Sequence, residues 1–259
     1  MATAPDYSLI DRAGGGSGIF FPRPDHSHPP GGAADLTIEV EPGISLGARL
    51  YAFDSTFPTI LYFHGNGEVV GDHDDIAPMY GQAGANLLVV DFRGYGRSGG
   101  QPAFTTLVSD GPVVAHRFHR LLDERGFGPV RLVMGRSLGA HPALEIAANA
   151  NDGFAGLIIE SGAGNLRRLA ARVGGDSDGV AALISAHEAK IASIALPSLF
   201  IHGERDELIP VSSAAETFAM IGTERKELVV LAGVGHNDLL WRRSGEYFAA
   251  IEEFLALLP

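Results

Sequence analysis

Six short stretches of this chain are apolar on nearly every residue: 59–63 (TILYF), 86–91 (NLLVVD), 130–134 (VRLVM), 156–160 (GLIIE), 198–202 (SLFIH) and 228–231 (LVVL). A strand with one face in water alternates polar and apolar side chains. An unbroken apolar run means that both faces are covered, which is the condition of a parallel sheet roofed by helices. Helical patterns fall between the runs, at about 103–124, 138–150, 210–221 and 244–257. Strand–helix alternation of this kind predicts a doubly wound, mostly parallel α/β sheet. Ahead of it, Leu36–Val40 alternates, Pro42-Gly43 turns, and Ser45–Phe53 runs back, so a β-hairpin is expected first.

No internal repeat or linker interrupts this pattern, and 259 residues suffice for one large domain. We read residues 1–34, rich in Gly, Pro, Asp and Ser, as an N-terminal arm anchored by Ile19-Phe20-Phe21, and residues 35–259 as a single domain. The longest excursion, 161–195, contains Arg167–Arg172, the loop 174–179 and a helical pattern at 180–191, and has room for at most a small cap. A net charge of −12 repels phosphate backbones and anionic membranes, so nucleic acid is excluded as a natural partner. The absence of cysteine excludes disulfides and a thiolate nucleophile. No apolar run reaches membrane-spanning length and the N-terminus has no signal-peptide pattern, so a cytoplasmic protein without membrane insertion is expected. His26, His28 and the acidic run Asp72–Asp75 match no ligand spacing of a closed metal site, and neither metal nor cofactor is expected.

The chemistry concentrates at Gly135-Arg136-Ser137-Leu138-Gly139. A serine with glycine two residues away on each side, between a buried strand and a helix, matches a nucleophile elbow: a turn so tight that only glycine fits beside it. A nucleophilic Ser137 needs a base, an orienting carboxylate and oxyanion donors. His236, in the glycine-flanked loop after the last strand, is the base. Asp206, after the strand ending at His202, is the acid, with Glu160 and Asp238 as competitors. The oxyanion donors are the N–H of Leu138 and one from the loop His64–Glu68, with Asn66 preferred over Gly67. His64 is read as a loop support, Trp241 as packing for the last helix, and His141 as a packing or capping residue near the helix start.

Four blocks, His64-Gly65-Asn66-Gly67-Glu68, Asp91-Phe92-Arg93-Gly94-Tyr95-Gly96-Arg97-Ser98, Gly135–Gly139, and His202–Asp206 with Gly235-His236, stand in an order that resembles the α/β-hydrolase superfamily. The chain is similar to its small serine-nucleophile members of the esterase, thioesterase and peptidase type. The resemblance implies an eight-stranded sheet whose second strand is antiparallel, and the roles given above to Ser137, Asp206 and His236. The lipase His-Gly-Gly-Gly run is missing, and serine rather than aspartate at position 137 excludes dehalogenase chemistry. Asp91–Gly99 is expected to be structural. The expected activity is hydrolysis of ester or thioester bonds in a small acyl substrate through an acyl-enzyme on Ser137. An acyltransferase using the same residues, or a non-catalytic binding protein on the same fold, is the alternative.

Overall fold

The computed structural model describes residues 5–12, 19–149, 153–167 and 178–259. Gly14–Gly16 of the arm, and most of the Arg167–Arg172 and 174–179 segments of the excursion, lie outside the described residues. Eight strands form one sheet: β1 (Ala33–Glu41), β2 (Ile44–Tyr51), β3 (Thr59–Phe63), β4 (Asn86–Val90), β5 (Arg131–Arg136), β6 (Gly156–Glu160), β7 (Ser198–Gly203) and β8 (Lys226–Leu231). Their order is β1-β2-β4-β3-β5-β6-β7-β8. β2 runs antiparallel to both its neighbours, and every pairing from β4 onward is parallel. This is the eight-stranded, mostly parallel α/β sheet that the sequence implies.

Every residue of β3, β4, β6 and β7 is buried, which explains their unbroken apolar sequences. Successive side chains leave a strand on opposite faces. Ile60 and Tyr62 therefore join Leu132, Met134 and Leu199 beneath helices α1 (Ala77–Gln82) and α6 (Leu239–Ala256). Leu61, Phe63, Val133 and Phe200 face the other way, into the core shared with α2 (Phe104–Glu124), α3 (Ala140–Ala148), α4 (Asp178–Ala192) and α5 (Val211–Met220). α1 and the 3₁₀ turn Val70–His73 escaped the sequence reading, because Asp72–Asp75 there reads as a polar loop. α6 begins five residues earlier than its pattern, with a kink at Arg243 (φ −139°, ψ 32°) that interrupts the periodicity. No helix among the described residues is long and apolar enough to cross a membrane.

The strand order places the site. After β3 the chain moves to β4 on one side, and after β5 it moves to β6 on the other. Loops leaving the carboxyl ends of these adjacent strands diverge, and the crevice between them is where doubly wound sheets bind ligands.

Candidate active site

Ser137 stands just past the end of β5 with φ 51°, a left-handed conformation that a non-glycine residue adopts only when its surroundings impose it. The imposed constraint is steric. A Cβ on Gly135 would lie 2.5 Å from the carbonyl carbon of Gly139 and 2.8 Å from Cα of Ala140. One on Gly139 would lie 2.6 Å from the carbonyl carbon of Phe63 and 2.8 Å from O of His64. The elbow is thus wedged against the end of β3, and α3 follows directly, its N-terminal end near the serine hydroxyl. A helix N-terminus favours negative charge that develops beside it.

His236 and Asp206 meet Ser137 from later strands. His236 Nε2 lies 3.0 Å from Ser137 Oγ, and His236 Nδ1 lies 2.7 Å from Asp206 Oδ2. The other carboxylate oxygen accepts the N–H groups of Leu208 (3.0 Å) and Ile209 (2.8 Å). Burial pushes the Asp206 pKa up, but hydrogen bonds from His202, His236 and the Ile209 N–H outweigh it and hold the carboxyl well below the usual range. An ionised Asp206 only accepts, so Nδ1 of His236 carries the proton and Nε2 presents its lone pair to the serine hydroxyl.

The competing acids are occupied elsewhere. Glu160 accepts from Arg136 Nε (3.1 Å) and Tyr247 OH (2.8 Å), and burial raises its pKa. Asp238 accepts from the Gly235 N–H (2.5 Å) and Arg242 (3.3 Å), stabilising the loop that carries His236.

Asn66 borders the same crevice. Its side chain braces the N-terminal arm: Nδ2 donates to Ile19 O (2.5 Å), and Oδ1 accepts Tyr95 OH (2.6 Å) and the Phe21 N–H (3.0 Å). Among the described residues, its backbone N–H has no hydrogen-bond partner. His64, fully buried, donates from Nδ1 to Gly65 O (2.7 Å) and does not line the crevice, consistent with a support for this loop.

A cavity of about 540 Å³ opens over Ser137, Leu138 and His236, walled by Ile19, Phe21, Phe104, His141, Leu208 and Ile209. The cavity wall also draws on residues whose main sequence reading was anchoring or packing. The arm supplies Ile19 and Phe21 to the cavity wall, and His141, one helical turn past Ser137, lines it too. Burial lowers the His141 pKa to about 3, so this imidazole is neutral. Trp241 does not pack α6: it is 83 % exposed, because it falls about 200° around the helix from buried Leu239. In Asp91–Gly99, Arg93 forks onto Asp110 (2.7 Å twice), and Arg97 turns away from the cavity to Asp35 and Ser27.

Comparison with known proteins agrees with this fold. The sequence pattern of the family described as serine aminopeptidase, S33, matches residues 54–174, the segment holding Asn66 and Ser137. Protein bem46 of Schizosaccharomyces pombe is 28% identical over 206 residues, covering 77% of this chain and 67% of that protein. The uncharacterized protein YfhR of Escherichia coli is 26% identical over 202 residues, covering 75% and 68%. The esterase Pf2001 of Pyrococcus furiosus superposes with a TM-score of 0.75 at 20% identity, over 93% of this chain and 99% of that one. Strand order and these likenesses give the chain the α/β-hydrolase fold.

Proposed function

We propose that the protein is a serine hydrolase that cleaves ester or thioester bonds through an acyl-enzyme on Ser137. The observation that carries this reading is the continuous line from Asp206 Oδ2 through His236 to Ser137 Oγ, at 2.7 and 3.0 Å. His236 Nε2 takes the hydroxyl proton as Oγ attacks the acyl carbon. The backbone N–H groups of Leu138 and Asn66 donate hydrogen bonds to the oxyanion. The tetrahedral adduct collapses, and the imidazolium gives its proton to the departing alcohol or thiol. Water then attacks the acyl-enzyme, losing a proton to His236, and Ser137 recovers its proton as the carboxylic acid leaves. Asp206 stays ionised and stabilises the imidazolium in both halves. The apolar wall of Ile19, Phe21, Phe104, Leu208 and Ile209 favours an apolar acyl group.

A panel of p-nitrophenyl esters and acyl thioesters of graded chain length tests the reading. Turnover is expected for at least one member and is lost in Ser137→Ala and His236→Ala. Folded protein that cleaves none of them, or a Ser137→Ala variant that retains the rate, overturns it.

A further inference from the structure

Arg136 is the residue between Gly135 and Ser137, and its guanidinium turns away from the reacting atoms. Its contacts go to three separate segments that build the site. Nη1 donates to Glu68 Oε1; the other oxygen of Glu68 accepts the Gly65 N–H (2.8 Å), and the Glu68 N–H returns to Gly65 O (3.3 Å). That closed loop holds Asn66. Nη2 donates to His236 O (3.0 Å) and Asn237 Oδ1 (2.8 Å), the loop of the base. Nε donates to Glu160 Oε1 (3.1 Å), on the residue that β-pairing sets opposite Arg136. Glu160 is anchored in turn by Tyr247.

Arg136, His236 and Asn237 also form a partition. They line both the cavity over Ser137 and a second one of about 280 Å³ behind it, between α1 and α6. Removing the guanidinium would leave two carboxylates facing a gap and would open the back of His236 to water.

Resting on the reading of Ser137 as nucleophile, we propose that Arg136 is a positioning residue: it sets the spacing of the Asn66 loop and the His236 loop about Ser137. The planar fork is essential to this role. One guanidinium reaches Glu160, Glu68 and the His236 carbonyl at once, whereas a lysine ammonium is a point charge that serves one of them. A displacement of about 1 Å between reacting groups costs on the order of 10²-fold in rate.

The test compares Arg136→Lys, Glu68→Gln and a distant control, Arg93→Lys, whose arginine pairs with Asp110 and Glu41 outside the site. Glu68→Gln keeps the size of the side chain but cannot accept from Arg136 and Gly65 together, so it probes the same link without emptying the partition. Each variant is checked for folding by near-UV circular dichroism. Each is then assayed for kcat and KM on the best ester, and for the rate of fluorophosphonate labelling. The expected result is a fall in kcat and labelling rate of about 10²-fold for Arg136→Lys. For Glu68→Gln the expected fall is about tenfold, with one of its two hydrogen bonds lost. KM should stay within a factor of about three throughout, and Arg93→Lys should keep wild-type kcat. Folded Arg136→Lys or Glu68→Gln with wild-type kcat and labelling overturns the proposal, as does a loss confined to KM. Should Arg136→Lys not fold, Glu68→Gln decides. A wild-type protein that neither labels nor cleaves esters fails differently: it removes the nucleophile reading itself.

Discussion

Substituting Gly139→Ala tests whether the tightness of the elbow matters. The added Cβ would sit 2.6 Å from the Phe63 carbonyl carbon and 2.8 Å from His64 O, whereas real Cβ atoms essentially never come within 3.0 Å of another group. All the opposing atoms are backbone at the end of a fully buried strand, so no side chain can swing aside. Relief requires β3 and the elbow to part by roughly 0.5–1 Å, a strain at the upper end of the usual overpacking range, about 3 kcal/mol. For a chain of this size that is a fall in Tm of about 6–12 °C. The same movement separates Leu138 from the His64–Glu68 loop and so parts the two proposed oxyanion donors, and kcat should fall on the order of 10²-fold. Chemical denaturation gives the stability and a steady-state ester assay gives the rate. A Gly139→Ala protein within about 0.5 kcal/mol of wild type and with unchanged kcat would refute the steric argument.

Three other expectations follow from the same geometry. Gly245 lies in α6 with open space around its Cβ position, so Gly245→Ala should stabilise by about 0.5–1 kcal/mol through helix propensity, read by urea titration. Asp206→Asn should lower kcat by on the order of 10³–10⁴ with KM little changed, because the amide no longer holds the Nδ1–H tautomer; a loss below tenfold would contradict the role given to Asp206. His187 is buried and neutral, with Nε2–H donating to Gly164 O (2.7 Å) and Nδ1 accepting from Tyr7 OH (2.8 Å). Burial lowers its pKa to about 4, and the unfolded chain, near 6.5, binds the proton that the fold refuses. Stability from this group is therefore complete above about pH 6.5 and drains away toward pH 4, by about 2 kcal/mol between pH 7 and 5. His187→Gln should flatten that slope in denaturation curves measured across the range.

The parts of the fold visible in the sequence are those that the interior dictates. Each run from Thr59–Phe63 to Leu228–Leu231 reappears as a strand, and the inner runs are apolar because their strands are covered; Leu228–Leu231 departs from that reading, since β8 is the sheet edge and Val230 is exposed. The candidate triad was visible for a related reason: Ser137, Asp206 and His236 each stand in a turn just past such a run, and the turn at Ser137 leaves a glycine signature. Arg136 was not visible. Its partners Glu68, Glu160 and His236 are 68, 24 and 100 residues away, and nothing local distinguishes it from a surface arginine. Ile19-Phe20-Phe21 was legible as an anchor and Phe20 is buried, but an irregular arm has no periodicity to show that Ile19 and Phe21 border the cavity. α1 was lost to composition: a helix of six residues containing Pro78, after an acidic run, offers too few apolar positions to carry a pattern.

The proposed chemistry rests on one reactive hydroxyl. Incubating the protein with a fluorophosphonate probe, followed by peptide mass mapping, measures it directly. One adduct is expected, on Ser137, absent in Ser137→Ala and strongly slowed in His236→Ala. Folded protein that takes no label, or takes it on another serine, would contradict it.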